Sequence, residues 1–150
     1  MNTANTNQRD AALDPAPPQA EVSDEELLHV MADFLAMGHV ENIVAMFRQE
    51  DRYFEWVGKL LQDERFAVRL GVAVLFEYLL ADSSSRISLA LPSLARSLQH
   101  KQPWVRGEAA NILGIINTPD ALQLINTIKH DSDQQVREIA ADILGNTPDE

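Results

Sequence analysis

"VRGEAANILGIINTPDA", residues 105–121, and "VREIAADILGNTPDE", residues 136–150, are near copies of one phrase in a chain of 150 residues. A third, weaker copy, "LQDERFAVRLGVAVLFEYL", surrounds Arg69. The three can be laid over one another by their Val-Arg pairs, with Arg69, Arg106 and Arg137 separated by 37 and then 31 residues. Val68, Val105 and Val136 precede the arginines. Four residues after each come Ala73, Ala110 and Ala141, then Leu75, Ile112 and Ile143, then Phe76, Leu113 and Leu144. These offsets fall on one side of a helix, so the phrase is a packing face. Its small residues let a neighbouring helix approach, and its large ones fill the space beyond.

A shorter helix is expected upstream of each copy. Leu60 and Leu61 close the first, Leu91, Leu94 and Leu98 mark the second, and Leu122, Ile125 and Ile128 mark the third. Pro92, Pro103 and Pro119 suit opening turns, where a missing amide hydrogen costs nothing, and Thr118 is placed to cap the helix at Pro119. Before the repeats, "SDEE" at 23–26 is a capping box. Leu27, Met31 and Phe34 then form an apolar stripe that Gly38 is suited to end. Val40, Ile43, Val44 and Phe47 begin a second helix, and Phe54, Val57 and Leu61 mark a third. No sustained two-residue alternation and no Asn-Gly or Asp-Gly turn occurs, so the chain reads as all-α. The expected organisation is a mobile tail over 1–22 and one helical repeat domain over 23–150, with repeats at 52–80, 86–116 and 118–146. The period of thirty to forty residues is that of a helical solenoid.

The phrasing of "DSDQQVREIAADILG" and "QPWVRGEAANILG" resembles HEAT repeats, and most closely the short HEAT-like class of the PBS-lyase type. The resemblance implies a short right-handed α-α superhelix. It also implies a polar ladder between successive repeats, carried here by Asp63, Arg69, Arg106, Arg137 and either Asp131 or Asp133, the third turn reading one residue longer. His100 stands where the second turn would have its Asp. The closing "NTPD" at 146–149 repeats the helix start at 117–120 and reads as the end of the stack.

Net charge is −11, distributed as −2 over 1–23, −6 over 24–65, +2 over 66–101 and −5 over 102–150. Such a chain repels phosphate backbones, and the +2 segment is too weak for a nucleic-acid face. No apolar run approaches the roughly 20 residues that span a bilayer. The sequence has no cysteine, which excludes disulfides and thiolate chemistry. The first 22 residues lack a secretory pattern, so a cytoplasmic location is expected.

No constellation for chemistry stands out. His29, His39, His100 and His130 lack the close helical spacing of metal ligands, Ser83–Ser85 lack a nucleophile-elbow frame, and no Gly-rich phosphate loop occurs. The expected catalytic, metal and cofactor inventories are therefore empty. Six aromatics, Phe34, Phe47, Phe54, Trp56, Phe66 and Phe76, read as core. Trp104, two residues before Arg106, reads as a partly exposed anchor for a partner protein. Positions one, two and five after each Arg should line the concave side. There Leu70, Gly71 and Val74 give way to Gly107, Glu108 and Asn111, and then to Glu138, Ile139 and Asp142. Trp104, Arg106, Asn111, Glu138 and Asp142 are thus the candidate binding residues, and the expected partner is a protein with a basic segment, bound by a monomer or weak homo-oligomer. Taken alone, these features describe a non-catalytic interaction adaptor. The alternative, drawn from the resemblance, is an accessory or lyase-like protein of the phycobilin type.

Overall fold

The computed structural model describes residues 22–82 and 85–145. Most of the expected tail, Ser83 and Ser84, and the second NTPD segment lie outside the described residues. The described residues fall into two compact units that divide between residues 30 and 31. In the first, the capping box at the start of helix α1 (Asp24–Ala36) is formed. The Glu26 amide donates to Ser23 Oγ at 3.1 Å and the Ser23 amide to Glu26 Oε1 at 3.3 Å.

The second unit begins within α1 and consists of helices joined by turns, with no strand among its described residues. Gly38, at φ +87°, ends α1 in a left-handed cap. The Gly38 amide donates to the Leu35 carbonyl and the His39 amide to that of Phe34, which is the Schellman pattern. Helix α2 (Val40–Gln49) follows. The third expected helix divides into a 3-10 segment (Asp51–Trp56) and a single turn, α3 (Val57–Leu60). The repeat helices are α4 (Phe66–Ala81), α5 (Leu91–Ser97, after a 3-10 segment, Ser85–Ala90), α6 (Pro103–Ile116), α7 (Pro119–Asn126) and α8 (Gln134–Gly145). Each long helix packs on the short one before it and on its neighbour along the array. The result is an all-α, HEAT-like solenoid.

The junction "NTPD" at 117–120 is resolved in detail. Asn117 adopts the left-handed conformation (φ 54°) and ends α6, the Thr118 hydroxyl accepts from the Ala121 amide at 3.2 Å, and Pro119 opens α7. One four-residue phrase stops a helix, caps the next and starts it.

Val68, Leu75, Phe76, Val105, Ile112, Leu113 and Val136 are buried, each burial favouring the fold by about 1.5–3 kcal/mol. Two expectations about the core are corrected. Phe66 lies in the first turn of α4 and is 62% exposed, its ring turned to the Arg69 guanidinium rather than inward. Phe34 and Trp56 are only half-buried. Ala141 is also exposed, whereas its counterpart Ala110 is buried under neighbours on both sides.

Two glycines allow close helix approach. A Cβ on Gly71 would stand 2.8 Å from Leu35 Cβ and 3.0 Å from the Leu35 carbonyl oxygen. On Gly107 it would meet only Ile139 Cδ1, at 3.0 Å. Backbone cannot yield as a side-chain tip can. Gly71→Ala should therefore lose about 1–3 kcal/mol in urea denaturation. For Gly107→Ala, the helix-propensity gain of about 1 kcal/mol should largely offset the crowding. Equal losses in the two variants would contradict this reading.

Candidate functional site

The three repeat arginines make one recurring contact. Nη1 of Arg69, Arg106 and Arg137 donates to the carbonyl oxygen six residues upstream, on Asp63 (2.9 Å), His100 (2.9 Å) and Asp131 (2.7 Å). That same upstream residue also closes the turn with its side chain. Asp63 Oδ1 accepts from the Arg65 amide (2.9 Å), His100 Nδ1 from the Gln102 amide (3.0 Å) and Asp131 Oδ1 from the Asp133 amide (2.9 Å). His100 thus does the turn work of an aspartate with a ring nitrogen. The three turns have equal length, so the expected extra residue in the third is absent. Asp131 occupies the ladder position, while Asp133 caps α8 by accepting from the Val136 amide at 3.0 Å.

The forward contacts differ because His100 brings no negative charge. Arg106 reaches the Asp131 carboxylate through two bonds, Nε to Oδ2 at 2.9 Å and Nη2 to Oδ1 at 2.8 Å. Both side chains are largely buried, at 12% and 9% exposure. Arg69 has no such turn carboxylate ahead of it and instead donates through Nε to Glu108 Oε2 at 2.9 Å. Its guanidinium then lies between two rings, 5.6 Å from the Phe66 centroid and 4.7 Å from that of Trp104. This cation–π stack holds the indole at the start of α6.

Beside the indole, α6 and α8 bound an open groove of about 350 Å³. Trp104, Glu108 and Asn111 line one wall, and Asp133, Val136 and Ile139 the other. An aromatic face, carboxylates and a side-chain amide around an apolar floor suit a long aliphatic group that ends in a cation. Of the residues expected to bind a partner, Trp104 and Asn111 come together here. Arg106 does not: it is held in the turn by Asp131. Glu138 accepts from Gln134 Nε2 at 3.0 Å, and Asp142 is exposed; neither lines the groove. Asp133, expected from the sequence as the alternative ladder aspartate, instead caps α8 and lines the groove. Among the described residues no group of three or more His, Asp or Glu is arranged to hold a metal ion, and no helix is long and apolar enough to cross a membrane.

Residues 55–145 match the HEAT repeats family. The chain is a HEAT-repeat protein. It is also 31% identical over 140 residues to a deoxyhypusine hydroxylase of Eremothecium gossypii, an alignment that takes in 87% of this chain and 41% of that relative. The chain therefore spans less than half the length of the curated relative it matches. This similarity corrects the functional expectation. A HEAT-repeat chain lacking a legible catalytic motif reads as a non-catalytic adaptor, or through its repeat subtype as lyase-like, yet the relative is an enzyme and a hydroxylase. The repeat phrase encodes packing, so it cannot separate a binding scaffold from an enzyme built on the same scaffold.

The ladder has an electrostatic signature. Hydrogen bonds from Arg106 hold the Asp131 carboxyl below its ordinary value, against the opposing effect of burial, and the Asp133 amide assists. Arg65 lowers Asp63 in the same way. A depressed carboxylate adds stability that is present above its unfolded value, about 3.9, and lost as pH falls through the native one. Asp131→Asn keeps the turn acceptor but removes the charge. It should cost about 2–3 kcal/mol at neutral pH and flatten the fall in urea stability between about pH 5 and pH 2. An unchanged acid limb would show that the Arg106–Asp131 pair contributes nothing.

Proposed function

We propose that this chain acts in the hydroxylation of a cationic, aminoalkyl-extended lysine side chain on a protein, and that the groove between α6 and α8 receives that side chain. The observation that carries the reading is the groove itself, an aromatic and acidic cleft of about 350 Å³ in a chain similar to a deoxyhypusine hydroxylase. Deoxyhypusine is a lysine lengthened by an aminobutyl group, so its side chain is long, flexible, aliphatic and positively charged. Trp104 offers such a chain an apolar face and its ammonium a π surface. Asp133 and Glu108 supply negative charge, although Glu108 shares its charge with Arg69. Asn111 can bond an amine or a peptide group.

The described residues bind and orient the substrate. Oxidising an aliphatic C–H bond needs an oxygen-activating group in addition to the binding and orientation that the groove residues supply. The partner on this reading is a protein with a basic segment, met in the cytoplasm by a monomeric or weakly associating chain.

A peptide carrying deoxyhypusine should bind more tightly than the same peptide with acetyl-lysine, as read by titration calorimetry. Trp104→Ala should weaken the deoxyhypusine complex about tenfold, in line with a desolvated cation–π contact, with helicity unchanged by circular dichroism. Trp104→Phe should retain most of the affinity. Gain of one oxygen atom by the peptide in host extract, dependent on this chain, would support the enzymatic role. Equal binding of the two peptides would count against it.

A further inference from the structure

On the outward side of α4, Phe66, Leu70, Val74 and Tyr78 recur every fourth residue and form one longitudinal row. Three are well exposed, Phe66 at 62%, Leu70 at 51% and Tyr78 at 44%. An isolated exposed apolar side chain is ordinary, but a continuous row marks a place where something docks. The row is about 18 Å long at the helical rise of 1.5 Å per residue.

Both ends of the row meet a concavity. At the N-terminal end Phe66 lies against Arg69, whose guanidinium is also 4.7 Å from the ring of Trp104, a residue that lines the α6–α8 groove. At the far end Val74 and Tyr78 border a second depression of about 290 Å³, shared with His39 and Glu41. The character of the surface changes along this path. It is apolar on α4, aromatic at Trp104 and acidic from Glu108 to Asp133. The complementary ligand has apolar side chains on one flank and a cation at the other end. Extended peptide rises about 3.3 Å per residue, so about five residues cover the row.

We infer that the Phe66–Tyr78 row is a docking track for the segment of the substrate protein that flanks its modified lysine, gripping apolar side chains while the groove takes the cationic one. The inference rests on the proposed function and adds a requirement to it: recognition extends to sequence beside the lysine. The stack around Arg69 couples the two parts, since one guanidinium contacts the first residue of the track and the indole of the groove.

The probes are synthetic peptides with deoxyhypusine at one position and, on either its N- or its C-terminal side, leucine or serine at alternate positions. One leucine peptide should bind the wild-type chain about tenfold more tightly than its serine counterpart, the effect of burying one to two aliphatic side chains. Leu70→Gln/Tyr78→Gln, which replaces two exposed residues outside the Arg69 stack with a good helix former, should abolish that advantage and leave serine-peptide affinity and helicity unchanged. Equal loss for leucine and serine peptides, or no loss for either, would overturn the track while sparing the groove. Failure of every deoxyhypusine peptide to bind the wild-type chain would instead sink the groove reading and the track with it. Sedimentation at two concentrations covers a second copy as occupant: a wild-type dimer that the double variant abolishes would also overturn the inference.

Discussion

An arginine bonded to the carbonyl oxygen six residues before it recurs in all three repeats, and the placement of everything else follows from it. A helix–turn–helix unit has no intrinsic reason to keep its two helices at a fixed angle, because the turn carries backbone groups that could equally bond to water. The guanidinium removes that freedom. One nitrogen occupies the carbonyl of Asp63, His100 or Asp131, and the side chain of the same residue closes the turn on the amide two positions on. The start of each second helix is thereby locked to the end of the first. With the angle set, Val68, Val105 and Val136 face inward in every copy, and the residue two before the arginine stands at the rim.

Much of this was legible because a packing face is written in offsets. The helix period and the small–large alternation are local properties, and the start and stop signals at Gly38 and "NTPD" depend on backbone chemistry alone. The equivalence of His100 to an aspartate was legible only in part. Its position in the turn could be aligned, but that an imidazole nitrogen would take over the backbone bond needed coordinates. What an offset cannot state is who stands opposite. Leu70, Gly107 and Glu138 are the same position in three copies, yet Leu70 is exposed, Gly107 lies against Ile139, and Glu138 is exposed and bonds within its own helix. Among the positions expected on the concave side, Asn111 lines the groove beside Trp104, and Asp142 does not. Phe66 misled for a related reason, since an aromatic ring in a first turn can turn to a cation instead of the core.

The proposed function was less legible than the fold because the features that support it are not a motif. Trp104 is a single residue in one repeat, with Ala67 and Gln135 at the matching positions. Glu108 looks like any solvated helix acid until its position against Arg69 is known. A reading that searches for spaced histidines or nucleophiles finds none and concludes that the chain binds without reacting. Similarity to a hydroxylase overturns that conclusion without supplying any motif, because the repeat phrase encodes packing and leaves the chemistry unspecified.

The groove and the ladder share one arginine, and His100 is the reason. An aspartate at that position would offer Arg69 the bidentate partner that Asp131 offers Arg106. The guanidinium would then be drawn into the turn, as Arg106 is, and Glu108 would be left to water. With an imidazole there instead, Arg69 keeps its carbonyl bond, turns its Nε toward Glu108 and lies against the indole. The interruption of the polar ladder is thus what places a rigid aromatic wall at the groove mouth and moderates the charge of one of its acids. A single turn residue relaxes a structural pairing in the second repeat, and the arginine it frees assembles the surface on which the proposed chemistry depends.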